Sequence, residues 1–468
     1  MNKHLSICLF IALILALTGC TEPADIPQSD TPSSTITSKD TNPSNDISTA
    51  NIEHTISELS SEKYAGRLTG TTGNNLAVDY IADYFASTGI ESADFASNYR
   101  QDYTQTVFLM NSTPKLSLLD EYGSTAKEYE FLDDFTNAVM DGVSLKNEKV
   151  LEMVIADDAS FFKDRQKDLS GKALLISSEI RGIIESDEIY SFCKNTGTEG
   201  LVLEETEYQD YVYGHLIRYS SLYRYTGDNP NGFMFYLVEQ DIFKDLSDSK
   251  DKNFKIHMES DYEARSSNAS NIAAMIPGKK TSTNLVISAH MDHVGDNLNG
   301  TYNPGALDNA SGTATVMELA RYFSSIDQEP DINLYFVLFN GEEENLYGST
   351  YLARNSNFTS DNTTVINMDM VGSKEALPLT LLSSYPHSEK LQDELADFAD
   401  DLGMETQYSN EGASDNLPFE MKGIPSVTLI HEDMDGIHYP GDTLDNMDVN
   451  RTAEIAVFLA EFILETAY

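Results

Sequence analysis

From Asn271 to the C-terminus, short apolar runs alternate with helical stretches, and this alternation constrains the chain more than any other feature. The runs cover 272–276, 285–288, 332–339, 364–368, 377–382 and 425–430, and they read as buried strands. Helical stretches at 310–323 and 388–402 separate them. Strands alternating with helices give an α/β fold with a mixed, mostly parallel central sheet covered by helices on both faces. The chain has no internal repeat.

The rest of the 468 residues divides by composition. Lys3 and His4 precede an apolar run over 5–17, which is shorter than the ~20 residues a spanning helix needs. Residues 1–19 therefore read as a signal peptide. The run ends in L-T-G-C at 17–20, which resembles a bacterial lipobox. That resemblance implies cleavage before Cys20 and lipid attachment to its thiol. An ordinary secretory signal is the alternative, and both readings export the protein. Residues 20–50 are rich in Ser, Thr, Pro and Asp and read as a disordered tether between membrane and body. Folded sequence is expected from Asn51. Within 51–104, Ala77, Tyr80, Ile81, Tyr84 and Phe85 recur at helical spacing, predicting a helix over 74–87 that stops at Gly89. Residues 105–265 carry strand-like runs at 172–176, 200–203 and 233–238 between polar turns, and read as a β-rich inserted module. Residues 266–468 complete the main α/β domain.

Charge removes whole classes of partner. Asp and Glu number 76 against 30 Lys and Arg, a net charge of −46. Such a chain repels nucleic acid and anionic headgroups. The three cysteines, Cys8, Cys20 and Cys193, supply neither a disulfide framework nor a thiolate metal site. Metal chemistry, if present, rests on imidazoles and carboxylates.

Five segments of the C-terminal half carry those groups. They are A-H-M-D-H-V-G around His290, G-A-L-D-N-A-S-G around Asp308, F-N-G-E-E-E-N-L-Y-G-S around Glu342 and Glu343, N-M-D-M-V-G around Asp369, and G-I-H-Y-P-G-D-T around His438. Each follows a strand run or precedes a helix, so all are expected at the carboxyl edge of one sheet, where open α/β sheets bind ligands.

A lone histidine is ordinarily a satisfied core or surface residue. In H-M-D, however, Asp292 is placed to accept the His290 N–H, which suits a metal-ligating imidazole. His293 reads as structural or as a loop neighbour. Asp308 could cap the following helix, but in this set it serves better as a bridging ligand with an oxygen for each of two ions. The adjacent acids can divide labour, Glu343 toward metal and Glu342 toward water as general base, with Glu344 expected in solvent. Asp369 lies among apolar residues, where a charge must be paired or coordinated. Asp361 and Asp415 are less constrained alternatives to it. His387 and His431 compete with His438.

In this order and spacing the five segments resemble the co-catalytic di-zinc aminopeptidase family, whose clan also includes glutamate carboxypeptidase II and glutaminyl cyclase. The segment Y-A-G-R-L-T-G-T-T-G at 64–73 resembles the family's N-terminal portion. The resemblance implies two Zn2+ per chain, one held by Asp308, Glu343 and His438 and the other by His290, Asp308 and Asp369. It also implies a cis peptide after Asp308, Glu342 as general acid/base and Asp292 as the orienter of His290. Peptides are then the substrates, with a lipid membrane as a second partner through Cys20. The oligomeric state is left open. Within the insert, L-S-G-K-A-L-L-I and C-K-N-T-G-T-E-G-L-V-L resemble a protease-associated domain. One departure stands out: S-D-N-L-P-F at 414–419 has Asn416 where many relatives carry His, which puts in doubt the contact made there. No side-chain oxyanion donor is identified, Tyr439 being the nearest candidate. The rival functions are another hydrolysis of the clan (carboxypeptidase or amidohydrolase), glutaminyl cyclisation, and a non-catalytic surface-binding lipoprotein.

Overall fold

The computed structural model describes residues 42–138, 144–206, 232–434 and 437–468. The leader, Cys20 and most of the expected tether lie outside them. The expected order from residue 51 needs correcting. Residues Pro43–Asp46 and Thr49–Leu59 are already helical, and Pro43, Ile47 and Ile52 are buried. Polar anchoring explains this: the buried carboxylate of Glu318 accepts the Ser48 backbone N–H at 2.6 Å and Asn51 Nδ2 at 3.1 Å.

The central sheet follows the alternation. Its strands lie in the order Thr406–Ser409, Leu379–Leu382, Ser426–Ile430, Thr363–Asp369, Lys280–His290, Ile332–Phe339 and Lys255–Ile276. The four from Ser426–Ile430 to Ile332–Phe339 are mutually parallel, while Leu379–Leu382 and Lys255–Ile276 join antiparallel. Period-two burial explains the covering helices. Leu334, Phe336 and Leu338 face the core formed with Thr49–Leu59, Thr72–Thr88, Gly312–Ser324 and Val449–Ala467, while Tyr335, Val337 and Phe339 pack on Leu352 and Phe419. The helix predicted over 74–87 spans Thr72–Thr88. Thr71 caps its first turn and Gly89, at φ 78°, closes it in the left-handed region that glycine tolerates.

The inserted region adds parallel strands Leu145–Ile155, Lys172–Ile176, Gly200–Glu205 and Met234–Glu239, with helices Ser186–Thr196 and Gln240–Ser249 and its own apolar cores. Neither 105 nor 265 falls at a break in the structure. Arg100–Met110 pairs with Lys255–Ile276 from Arg100–Ile272 to Met110–Tyr262, so one antiparallel ribbon runs through both points. The 22-residue strand Lys255–Ile276, about 70 Å long at ~3.3 Å per residue, belongs to both parts of the sheet. Cys193 is free and buried, and burial pushes its thiol up to about 12. No helix among the described residues is long and apolar enough to cross a membrane.

Candidate metal centre

Strand Lys280–His290 is flanked by Ile332–Phe339 on one side and Thr363–Asp369 on the other, so chain order reverses around it. Such a reversal opens a crevice at the carboxyl ends. His290 ends one of these strands and Asp369 another; Glu342 and Glu343 follow the third, and His438 follows Ser426–Ile430. Asp308 enters from the turn before helix Gly312–Ser324, and its peptide bond to Asn309 is cis. Asn309 secures that turn: Nδ2 donates to the Met368 carbonyl and Oδ1 accepts the Gly312 N–H, both at 2.9 Å.

Asp308 is shared between two clusters. Its Oδ1 lies 3.4 Å from His290 Nε2, and its Oδ2 lies 3.0 Å from His438 Nε2. On the first side, His290 Nε2 is also 3.3 Å from Asp369 Oδ1. On the second, His438 Nε2 is 3.1 Å from Glu343 Oε2. The potential ligand atoms of His290, Asp308 and Asp369 lie within 4.8 Å of one another, as do those of His293, Asp308, Glu343 and His438. His438 and Met370, the residue after Asp369, hold φ at 57° and 55°. Side chains rarely sit in that region unless surrounding structure imposes it.

The electrostatics ask for cations. Burial alone would depress both imidazoles, but the carboxylates carry them well above the ordinary histidine value. Asp369, Glu342 and Asp308 do this for His290, and Glu343 and Asp308 for His438. Burial opposes ionisation of Glu343, yet His438 and His293 hold its carboxyl well below the usual range. Burial pushes the Glu342 carboxyl well above it; His290 opposes the shift, and Glu343, Asp415 and Asp369 add to it. Without an added ion, the positive charge facing these acids comes from protonated histidines and from the buried Arg67 guanidinium, which interacts with Asp442, Asp308, Asp292 and Glu343. Imidazole and carboxylate donors without sulfur, in two groups sharing one carboxylate, fit a pair of divalent ions such as zinc.

Of the residues singled out from sequence, His290, Asp308, Glu343, Asp369 and His438 converge, with Glu342 beside them. Asp361 and His387 are exposed elsewhere. His431 is buried but turned away, its Nδ1 accepting the Gly372 N–H at 2.9 Å. Asp415 is fully buried, and burial pushes its carboxyl up to about 7. Tyr439 is exposed in the His438 loop.

Two expectations need correcting, and the place of Asn416 is defined. The Asp292 carboxylate is 3.8 Å from His290 Nδ1, too far for a hydrogen bond. It accepts the backbone N–H groups of Glu342 and Glu343 at 3.2 and 3.3 Å, while the Asp292 carbonyl lies 3.3 Å from His290 Nδ1. Asp292 thus aligns the loop of the paired acids. Glu344 is buried, not in solvent, because Gln105 Nε2 donates to it at 3.2 Å. Asn416, in place of the usual His, is fully buried. It accepts from Thr428 Oγ1 at 2.9 Å and donates to Glu420 at 3.2 Å, within the scaffold.

The structure adds residues that the sequence alone did not single out. Asp442 accepts the Leu307 and Asp308 N–H groups at 2.7 and 3.0 Å. Ser414 Oγ donates to Asp369 Oδ2 at 2.7 Å. The fully buried Arg67 donates to the carbonyls of Leu59, Met291, Pro304 and Gly305, tying the His290 and Asp308 loops together. Asp442 and Arg67 lie inside the motif segments, so position within a motif was the available signal.

Residues 271–463 match the model of peptidase family M28. A probable leucine aminopeptidase of Arthroderma benhamiae is 28% identical over 206 residues, which are 42% of this chain and 57% of that protein. Aminopeptidase YwaD of Bacillus subtilis is 27% identical over 192 residues, 39% of this chain and 40% of that protein. The chain thus spans about half the length of these curated relatives. Among solved structures, the aminopeptidase from Aneurinibacillus sp. strain AM-1 superimposes with a TM-score of 0.67 at 23% identity, covering 90% of this chain and 95% of that one. The Bacillus subtilis zinc aminopeptidase BSAP gives 0.64 at 20% identity, over 90% and 95%. These likenesses establish a shared fold.

Proposed function

We propose, proceeding from the match of residues 271–463 to the model of peptidase family M28, that this chain is an exported zinc-dependent aminopeptidase that binds two zinc ions and hydrolyses N-terminal peptide bonds. The observation that carries the reading is the division of Asp308, with one oxygen toward His290 and the other toward His438. His290, Asp308 and Asp369 would hold one ion; Asp308, Glu343 and His438 would hold the other. Bound there, zinc supplies Lewis-acid charge that polarises a carbonyl and acidifies a water toward a pKa of about 7.

Glu342 supplies the base. It is partly exposed where its neighbours are buried, and burial raises the pKa of its carboxyl, as suits a group that must hold a proton between two steps. In this role it takes the proton of the attacking water and passes it to the leaving amine. Asp292 fixes the backbone on which Glu342 and Glu343 sit. Leu307, Met370, Leu382 and Ile430 form a small apolar cluster with Ile437 beside the ligands. Their position suits an apolar N-terminal side chain.

Export and membrane attachment through Cys20 are supported by the leader pattern alone, and the protease-associated character of 105–265 by its motif. A panel of aminoacyl-nitroanilides and N-blocked peptides, assayed with and without chelator, tests the activity. Free but not blocked substrates should be cleaved, apolar residues preferred, and chelation should abolish turnover. Cleavage of blocked substrates only would overturn the assignment.

A further inference from the structure

His293 is the third ionisable residue of A-H-M-D-H-V-G, and the function proposed above gives it no task. It is fully buried, and its ring meets the His438 ring edge-on at 5.4 Å between centroids. Its Nδ1 lies 3.0 Å from Glu343 Oε1 and 3.8 Å from Asp308 Oδ2. Its Nε2 is buried and has no hydrogen-bond partner among the described residues. A histidine retained for the core alone would be expected to satisfy both nitrogens. Here the polar engagement is directed at the two acids.

Glu343 divides its oxygens: Oε1 faces His293, and Oε2 faces His438. An ionised carboxylate only accepts hydrogen bonds, so the His293 proton sits on Nδ1 and is donated to Oε1. A catalytic zinc keeps three protein ligands and one open position. Asp308, Glu343 and His438 already make three, so a fourth protein ligand would close the position the chemistry needs.

We propose that His293 is a positioning residue for the zinc ion on the His438 side: by occupying Oε1 it leaves Oε2 as the ligand atom of Glu343 and preserves an open coordination position. This role rests on the two-zinc reading.

The test is zinc binding by the mature full-length chain, titrated against a chromophoric chelator, together with the absorption spectrum of the cobalt-loaded protein. Wild type, His293→Ala and His293→Asn are compared. The Asn amide places an N–H close to where Nδ1 stands but is a poor zinc ligand. Removing the donor in His293→Ala should weaken one of two sites by about 10- to 100-fold, as for other residues that hold metal ligands, and leave the second unchanged. His293→Asn should recover most of that affinity and the wild-type cobalt spectrum. If His293→Asn loses as much as His293→Ala and the cobalt spectrum changes, His293 is itself a ligand and the proposal falls. It also falls if both variants bind like wild type. Should His293→Ala fail to fold, His293→Asn alone decides, by the same cobalt spectrum. A wild-type chain that binds no zinc at all would defeat the zinc reading first, which separates the two failures.

Discussion

Asp442 grips the loop that carries Asp308: its two oxygens accept the N–H groups of Leu307 and Asp308 at 2.7 and 3.0 Å. The residue four positions after His438 therefore orients the carboxylate that both clusters share. Asp442→Ala should weaken zinc binding at both sites by about 10- to 100-fold. Asp442→Asn, which keeps one acceptor oxygen, should fall in between. Zinc competition titration measures this, and loss confined to one site would refute a shared role.

Glu342→Gln removes the proposed base without removing a proposed ligand. Turnover should drop by about 10²–10⁴-fold, with zinc content by metal analysis unchanged. Near-wild-type kcat in this variant would mean that another group takes the proton.

His431 gives a pH signature away from the ligands. Burial, reinforced by Arg451, pushes its imidazole down to about 4. A depressed histidine is neutral when folded but protonates in the unfolded chain below its ordinary value of about 6.5. The stability that it contributes is thus full above pH ~6.5 and is lost progressively as pH falls toward 4, by at most about 3 kcal/mol. His431→Gln should flatten that part of the stability profile. An unchanged acid limb in urea titrations at pH 7, 6 and 5 would contradict it.

Glu318 tests the anchoring of the first helices. Its buried carboxylate accepts from Ser48, Asn51 and Arg321. Glu318→Ala leaves those donors unmatched and should cost about 1–3 kcal/mol. Faster hydrogen exchange over 43–59 is expected, with zinc affinity unchanged. Equal exchange rates in variant and wild type would show that apolar packing alone holds these helices.

Much of the C-terminal half was legible because its signals are local. Ile332–Phe339 was readable to the residue, since a run of strand length that is apolar but for Asn333 suits a strand covered on both faces. The convergence of the candidate donors was legible because the motif residues sit at strand ends, and strand ends share an edge. Glu344 was misplaced because its partner, Gln105, lies 239 positions away in sequence. Residues 43–50 read as tether because their polar composition conceals the Glu318 contact. Asp292 kept its place in the site but acquired a different partner, since two residues of spacing cannot say whether a carboxylate reaches back to a ring or across to another strand's loop.

The sequence by itself determined the α/β class, the five segments and the chemical types of the candidate donors, because hydrophobic periodicity and donor identity are properties of the chain. Only the tertiary structure decided how those donors are shared. That Asp308 faces two histidines, that Glu343 turns one oxygen to His293, and that Asp442 and Arg67 hold the loops in register all depend on distances between segments far apart in sequence. Pairing of buried charges and dipoles falls off within a few ångströms, so it is set by how the strand ends pack and not by the residues between them.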